Sequence, residues 1–388
     1  MKPGIYVHIP FCEQRCYYCA FTIAVSPGHT YEPYVRRVIR EIEISQFSDE
    51  PETIFFGGGT PSIIKAGFLE AILRALPGGG ASAKELSLEA NPGTLPAENL
   101  KIYRDMGINR ISLGAQSFND RDLETAGRLH KACDVIADFE SLRRFSFANI
   151  NIDLIAGLPN QTIPGWIENL DWIGRLRPEH VSIYMLDEEE NSAWGKKADR
   201  VQAPGDSETD EANVRFYTDA ADRLGALGYV HYEISNWALP GYECAHNLKY
   251  WNGAPYRSFG VSANSFDGKY RFWNSSSLKE YADMIDSGAI PIAGRELLTR
   301  QMRLDEAFLL GLRQTAGFNI WRVAEDLGIQ YPSGWFDAID EMRRSGWIEF
   351  DGGVLRLAPA GWLLASGITQ ELLWPTLLST SSTSEATP

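Results

Sequence analysis

Three cysteines lie within eight residues near the start of the chain, at Cys12, Cys16 and Cys19. Their spacing is Cys-x3-Cys-x2-Cys, and thiolates are soft ligands that select zinc, copper(I) or iron–sulfur clusters. A structural zinc ion needs four ligands, and a 4Fe–4S cluster usually has four cysteines. Three thiolates on a 4Fe–4S cube would leave one iron open to another ligand. A zinc knuckle or a chance grouping is the alternative, and it is disfavoured because Cys133 and Cys244, which could supply a fourth ligand, are distant in sequence.

A second group of candidate residues follows short apolar segments along the chain. Its members are Gly58, Gly59, Thr60, Glu89, Gln116, Arg128 and Asp153. Glycines let the backbone approach a ligand closely, and their N–H groups can bind a carboxylate. Carboxylates can accept hydrogen bonds from ligand hydroxyl groups, and a guanidinium can pair with a ligand carboxylate. Each of these side chains, taken alone, could equally form hydrogen bonds with the backbone of its own loop. As a set, however, they favour a ligand site.

The elements that must position these residues alternate between strand-like and helix-like segments. The strand-like apolar segments are 5–9, 53–56, 86–90, 110–113, 149–155 and 180–186. This alternation predicts βαβ units around a parallel sheet, and six such units predict a full or partial TIM-like barrel in an α/β protein. The candidate residues come at the ends of the strands, where such barrels place their active sites.

The pattern changes to helices after about residue 295. Segments 296–315, 319–327 and 333–345 read as helices, and a strand–turn–strand follows. This order predicts a winged-helix-like domain, which we expect to be a packing module because it is not strongly basic. We therefore expect four parts, which are a barrel over 1–230, a connecting segment over 231–295, a mainly helical winged-helix-like domain over 296–375 and a disordered tail over 376–388.

Composition restricts the cellular setting and the partners. The chain has 388 residues and a net charge of −15, which disfavours nonspecific binding to nucleic acid. Five cysteines, three of them clustered, fit metal binding in a reducing cytosol better than a disulfide framework. We see neither a signal peptide nor an apolar stretch of membrane-spanning length, so we expect a cytoplasmic protein.

A second region that is rich in histidine and aromatic residues contains the segment His246-Asn247-Leu248-Lys249-Tyr250-Trp251. Histidine and tyrosine are both residue types that bind heme iron. On composition alone, however, an aromatic core segment with one satisfied histidine is the better interpretation.

Taken together, these motifs resemble the HemW-type heme chaperones, a radical S-adenosylmethionine (SAM) branch also described as oxygen-independent coproporphyrinogen III oxidase-like. The resemblance extends over about residues 4–375. The matching segments are 6–21, 57–62, 89–92, 112–118, 153–161, 231–241 and 246–251. It implies a radical SAM barrel, a 4Fe–4S cluster, SAM, and heme that is delivered to respiratory hemoproteins. It leaves open a homodimer and a peripheral association with membrane proteins.

The resemblance also implies roles for individual residues. Cys12, Cys16 and Cys19 would hold the cluster. The residues that would line SAM are Tyr6, Tyr18, Gly58, Gly59, Thr60, Glu89, Gln116, Arg128 and Asp153. His246 matches the position that the group associates with heme.

Two departures bear on activity. The related coproporphyrinogen dehydrogenases have a further cysteine where this chain has Phe21, and an extension before the first strand. Oxidative decarboxylation of a porphyrinogen by radical SAM chemistry is therefore the alternative function, against which Phe21 argues. Whether the protein is an enzyme at all stays open. Asn264 stands where the HemW group usually has histidine, which puts a ligand contact by that loop in question.

Overall fold

The computed structural model describes residues 2–186, 192–195 and 207–373. The chain forms two compact units. The first contains residues up to 231, 235–249 and 254–296, and the second contains 232–234, 250–253 and the residues from 297 onward. Most of the segment 231–295, expected to connect two domains, therefore belongs to the first unit. The tail expected to be disordered, 376–388, lies outside the described residues.

One large sheet organises the first unit. The strands up to residue 297 are β1 (Gly4–Ile9), β2 (Phe11–Cys12), β3 (Ala24–Val25), β4 (Thr53–Gly58), β5 (Glu85–Ala90), β6 (Arg110–Gln116), β7 (Ile150–Ala156), β8 (His180–Met185), β9 (Val230–Glu233), β10 (Asn236–Ala238), β11 (Tyr256–Phe259), β12 (Asn264–Phe266), β13 (Tyr270–Asn274) and β14 (Ile292–Leu297). Strands β1, β4, β5, β6, β7 and β8 are neighbours in that order and are parallel. This confirms the predicted six-stranded barrel core.

The sheet is partial and does not close. Strands β10 and β9 extend it beyond β8, and β11, β12, β13 and β14 extend it beyond β1. The separate pair β2 and β3 forms a small parallel ladder that begins with Phe11 opposite Ala24.

Helices connect the strands of the barrel core. In chain order they are α1 (Tyr31–Ser45), α2 (Ala66–Ala75), α3 (Ala97–Asp105), α4 (Asp120–Thr125), α5 (Ala132–Arg144), α6 (Ile163–Leu176), α7 (Ser207–Ala226), α8 (Ala245–Trp251) and α9 (Leu278–Asp286). Helix α1 shows why they form, because Tyr34, Val35, Val38 and Ile42 recur at helical spacing and are all buried. None of the described helices combines the length and hydropathy that a membrane span requires.

Alternate residues of the barrel strands have different chemistry. One set is apolar and buried, and includes Ile54, Phe56, Leu86, Leu88, Ile111, Leu113, Ile152 and Leu154. The other set contains buried polar side chains, and includes Ser87, Arg110, Ser112, Asn151, His180 and Ser182. Successive side chains of a strand point to opposite faces, so one face of the sheet is apolar and the other carries polar groups. Closed parallel barrels usually fill their interior with branched apolar residues, and the buried polar face of this open sheet differs from that pattern.

The second unit has its own core. Its elements are α10 (Arg300–Gly311), β15 (Phe318–Asn319), α11 (Ile320–Leu327), α12 (Ser333–Arg344), β16 (Ile348–Asp351), β17 (Val354–Leu357) and α13 (Ala365–Leu373). Strands β15, β17 and β16 form an antiparallel sheet in that order. Phe308, Ile320, Trp335 and Leu355 pack in one buried cluster. Three helices followed by a strand–turn–strand agree with the winged-helix-like pattern expected from sequence.

Candidate functional site

A cavity of about 390 Å³ opens at the carboxyl ends of β4, β5, β6, β7 and β8. Ten of the thirteen residues expected at the site line it. They are Cys12, Cys16, Tyr18, Cys19, Gly58, Gly59, Glu89, Gln116, Arg128 and Asp153. The volume lies in the range of small-molecule and cofactor sites. The tertiary fold therefore gathers residues spread over some 140 positions of sequence at one place.

Cys12 is the last residue of β2, and Cys16 and Cys19 lie in the segment between β2 and β3. Cys12 is buried, whereas Cys16 and Cys19 are partly exposed. Arg15 shapes this loop, because its Nη1 donates to the carbonyl oxygen of Cys19 at 3.2 Å. Burial raises the pKa of Cys12 to about 11 and also raises that of Cys19, so metal binding must displace protons from these two thiols. Among the described residues, no three His, Cys, Asp or Glu side chains lie close enough together to hold a single metal ion.

The glycine loop at the end of β4 uses its N–H groups for contacts within the protein. Its N–H groups were expected to bind a ligand carboxylate. Instead, Gly58 N donates to Glu89 Oε2 at 2.9 Å and Gly59 N donates to the carbonyl oxygen of Ile9 at 2.8 Å. A Cβ on Gly59 would lie 2.6 Å from the carbonyl oxygen of Phe11, so the glycine is needed for close packing of two backbones. The loop therefore holds the segment that leads into the first cysteine.

Two carboxylates face the same cavity. Asp153 Oδ1 accepts from Asn151 Nδ2 at 2.7 Å, and Asp153 Oδ2 accepts from Ser112 Oγ at 3.1 Å. Burial, together with the nearby charge of Asp153, raises the pKa of Glu89 to about 8. Burial also raises the pKa of Asp153, while the buried guanidinium of Arg110 opposes both shifts. Two neighbouring buried acids repel each other when ionised, so a cationic ligand between them would be favoured.

Arg128 links the cysteine loop to the strand ends. Its Nη1 donates to Cys16 Sγ and to Tyr18 Oη, both at 3.5 Å. Its Nη2 donates to Asn91 Oδ1 at 2.6 Å and to the carbonyl oxygen of Gly114 at 2.7 Å. The Nε of Arg128 is buried and has no hydrogen-bond partner in the part of the chain that the structure describes. A ligand carboxylate would supply the acceptor that this donor lacks.

Gln116 is positioned by an irregular end of β6. Its φ is 69°, which is uncommon for a residue other than glycine. The pairing of β6 with β7 shifts register between Leu113 and Gln116. A bulge of this kind redirects the side chains that follow it, and such strained positions persist where the surrounding structure enforces them. This register shift occurs at the point where Gln116 becomes part of the cavity wall.

Tyr6 and Thr60 lie just behind the cavity and do not line it. The Oη of Tyr6 lies 3.2 Å from His8 Nδ1, and its ring stacks on Phe55 with centroids 6.1 Å apart. Thr60 Oγ1 lies 3.5 Å from Cys12 Sγ and accepts from Asn91 Nδ2 at 2.8 Å. In this structure both residues support loops of the site.

His246 lies away from the other site residues. Its Nδ1 lies 2.7 Å from Thr53 Oγ1, and its backbone N donates to Glu85 Oε1 at 3.1 Å. Thr53 and Glu85 are the first residues of β4 and β5, roughly 16 Å along the strands from the cavity end. Burial, followed by the charges of Lys249 and Arg110, lowers the pKa of His246 to about 3, so its imidazole is neutral. A role for His246 in heme binding stays a prediction, and it would require this 1% exposed side chain to be uncovered.

Sequence reasoning missed several residues around the cavity. Asn91 holds both Arg128 and Thr60, and Tyr184 and Met185 at the end of β8 form part of the cavity wall. The period-two spacing of polar residues within the strands is the signal that could have found the deeper ones. Asn264, the departure noted from sequence, is exposed and donates to the carbonyl oxygen of Ser262.

The fold is that of the radical SAM superfamily, whose family model matches residues 6–173, and the model of the HemN C-terminal domain matches 298–364. The heme chaperone HemW of Bacillus subtilis is 33% identical over 94% of this chain and 97% of its own length. That of a Synechocystis species is 38% identical over 82% of this chain and 79% of its own length. The chain belongs to the HemW family.

One solved structure shares the whole architecture. Coproporphyrinogen III oxidase (HemN) from Escherichia coli superposes with a TM-score of 0.81, covering 96% of this chain and 90% of that one. The sequence identity is 22%, so this likeness concerns the fold. It agrees with the expected radical SAM barrel followed by a mainly helical domain.

Proposed function

We propose that this protein is a heme chaperone that uses a 4Fe–4S cluster and SAM and delivers heme to respiratory hemoproteins. Nearly full-length identity to relatives named HemW heme chaperones carries the proposal. The radical SAM family match implies the cluster and SAM. The homodimer, the association with membrane proteins and the cytoplasmic location stay predictions.

Cys12, Cys16 and Cys19 would hold the cluster. The three thiols line the same cavity and come from one short segment of the chain, while Cys133 is exposed and Cys244 is buried elsewhere in the fold. When bound, the cluster supplies an open iron that can chelate the amino and carboxylate groups of SAM. The triple Cys→Ala protein should lose the broad absorption near roughly 400 nm of thiolate-held clusters. Unchanged iron and sulfide content in that variant would reject the assignment.

The cavity chemistry fits SAM. Glu89 and Asp153 provide negative charge for a ligand that carries a sulfonium and an ammonium group, and Asp153 can also accept hydrogen bonds from the ribose hydroxyls. The unpaired Nε of Arg128 suits the methionine carboxylate. Arg128 also contacts Cys16, so the same guanidinium can orient SAM relative to the cluster.

The cavity mouth offers an apolar surface for heme. Phe21 is 70% exposed and Tyr184 is 44% exposed, and both belong to the cavity wall together with Ile23 and Met185. Flat aromatic and aliphatic surfaces suit the faces of a porphyrin, and methionine and tyrosine are both known types of axial ligand. The mouth thus competes with His246 as the place where heme binds.

Heme titration of variants separates these two places. If the mouth binds heme, Phe21→Ser should weaken heme binding and His246→Ala should leave the Soret band as in the wild type. Val214→Ser, which removes an exposed apolar side chain from α7, is the matched control. A Soret shift confined to His246→Ala would instead assign the contact to the buried motif. Wild-type protein that fails to bind heme at micromolar concentration would reject the chaperone proposal.

Coproporphyrinogen III dehydrogenase is the second candidate, favoured only by the shared architecture with HemN. The phenyl group of Phe21 lies in the cavity wall where those enzymes are expected to have a thiol. We expect no protoporphyrinogen IX when the reconstituted protein is incubated anaerobically with coproporphyrinogen III, SAM and a reductant. Formation of that product would replace the chaperone proposal with the enzymatic one.

A further inference from the structure

Beneath the cavity, four buried polar side chains form one hydrogen-bonded group, which we call the Asn151 cluster. Its members are Ser112 on β6, Asn151 on β7, and His180 and Ser182 on β8, each at most 6% exposed. Asn151 and Asp153 are two residues apart on one strand, so their side chains point to the same face. Asn151 therefore lies directly below the Asp153 carboxylate, which lines the cavity.

The amide of Asn151 is the centre of the cluster. Its Nδ2 donates to Asp153 Oδ1 and Ser112 Oγ, both at 2.7 Å, and lies 3.0 Å from Ser182 Oγ. Its Oδ1 lies 2.6 Å from His180 Nδ1 and accepts from Ser182 Oγ at 3.2 Å. One side chain thus joins three adjacent strands immediately below the site.

The contact with Asp153 Oδ1, to which the Asn151 amide donates, determines the direction of these hydrogen bonds. A carboxylate oxygen can only accept, so the NH₂ end of the Asn151 amide must face it. The amide oxygen then faces His180, whose Nδ1 must carry the hydrogen. Burial lowers the pKa of His180 well below its ordinary value, so this imidazole is neutral and the tautomer is defined.

The cluster holds the Asp153 carboxylate at two points. Asn151 occupies one lone-pair position on Oδ1, and Ser112 occupies one on Oδ2. These contacts on both oxygens restrain rotation of the carboxylate, and a carboxylate has about four lone-pair positions in all. Since Asp153 lines the cavity, both of its oxygens keep acceptor capacity for two adjacent hydroxyl groups of one ligand.

We propose that Asn151 is a positioning residue for SAM, which holds Asp153 so that both carboxylate oxygens accept from the two ribose hydroxyls. This inference rests on the proposed SAM site and adds a residue to it. Asn151 touches no ligand itself and acts through Asp153. The sequence spacing Asn-x-Asp is thus the functional unit, with the asparagine orienting and the aspartate binding.

A double-mutant cycle tests the inference on the cluster-loaded protein, with SAM affinity measured by calorimetry. Asn151→Ser should weaken SAM binding by about tenfold, the loss expected for one hydrogen bond to a charged group. Asp153→Asn should weaken it at least as much. In the Asp153→Asn background, Asn151→Ser should cause no further loss, because its effect passes through the missing carboxylate.

Asn274→Ser is the matched control. Asn274 is also buried and donates to Glu41 Oε1 at 2.7 Å, but it does not line the cavity. Its replacement should reduce stability and leave SAM affinity unchanged. Should Asn151→Ser fail to fold, His180→Leu replaces it in the cycle. That variant removes the donor that orients the amide, and its SAM loss should also vanish in the Asp153→Asn background.

Several outcomes would overturn the inference. Equal fold-losses in both backgrounds would show that Asn151 acts only through general stability. Wild-type SAM affinity in Asn151→Ser would show that Asp153 needs no such support. Wild-type affinity in Asp153→Asn is a different result, because it would reject the SAM site itself and with it this part of the proposed function.

Discussion

Replacing Glu89 with glutamine should make the ligand-free protein more stable and the SAM complex weaker. Burial and the charge of Asp153 raise the pKa of Glu89 to about 8 from an ordinary 4.5. Between those two pH values the folded protein holds a proton that the unfolded chain has lost, so stability falls as pH rises. The fall is at most about 1.4 kcal/mol per pH unit, or roughly 5 kcal/mol over the whole interval.

Glutamine has no proton to lose and can still accept the hydrogen bond from Gly58 N. The stability advantage of Glu89→Gln over the wild type should therefore be near zero at pH 4.5, grow with pH, and level off above about pH 8. Urea unfolding of cluster-free protein, followed by tryptophan fluorescence at several pH values, measures it. Glu98→Gln, at an exposed position in α3, controls for the loss of one negative charge.

The same variant should bind SAM more weakly, since it lacks the negative charge that faces the cationic ligand. In the wild type, SAM binding at neutral pH should release a proton from Glu89. Calorimetry in buffers of different ionisation enthalpy would detect this release, and Glu89→Gln should abolish it. An advantage in stability that does not change between pH 5 and 8 would refute this account of the buried carboxylate.

Three further results are expected. Gly59→Ala should lower cluster content, because its Cβ would lie 2.6 Å from the carbonyl oxygen of Phe11, whereas Gly67→Ala in α2 meets nothing within 4 Å and should keep wild-type content. Asp153→Ala should weaken SAM binding by roughly ten- to a hundredfold in calorimetry, with visible absorption of the cluster unchanged. His246→Ala should lower the free energy of unfolding by about 1–3 kcal/mol in urea titration, because Thr53 would lose a buried partner. Equal stability of that variant and the wild type would contradict the structural role.

The strands of the barrel were predictable because each is a short apolar segment that is followed by polar or glycine-rich residues. The segment 86–90 is β5 (Glu85–Ala90) in the structure, and 180–186 is β8 (His180–Met185). The apolar positions of 31–45 repeat every three to four residues, which predicts a helix, and α1 has these ends in the structure. The polar composition of 203–211 predicts a loop, but α7 begins within it at Ser207, and 203–206 lie outside the described residues. A polar composition cannot distinguish a loop from the first turn of a helix.

The placement of His246 shows where motif matching alone falls short. The resemblance made the motif a candidate for heme binding, whereas composition alone favoured a satisfied core histidine. In the structure the imidazole contacts Thr53, which is 193 positions earlier in sequence. Such a contact depends on how α8 meets the amino ends of the strands, which no local pattern encodes.

By itself, the sequence determined the cluster of three cysteines and the alternation of strands and helices that predicts the parallel barrel. Ligand chemistry depends on residue type, and strands and helices depend on periodicity, both of which are local properties. The tertiary structure alone decided that the glycine N–H groups are used within the protein, and that Ser112, His180 and Ser182 from neighbouring strands meet Asn151. These facts depend on the register between neighbouring strands, which is set by the packing of the whole sheet.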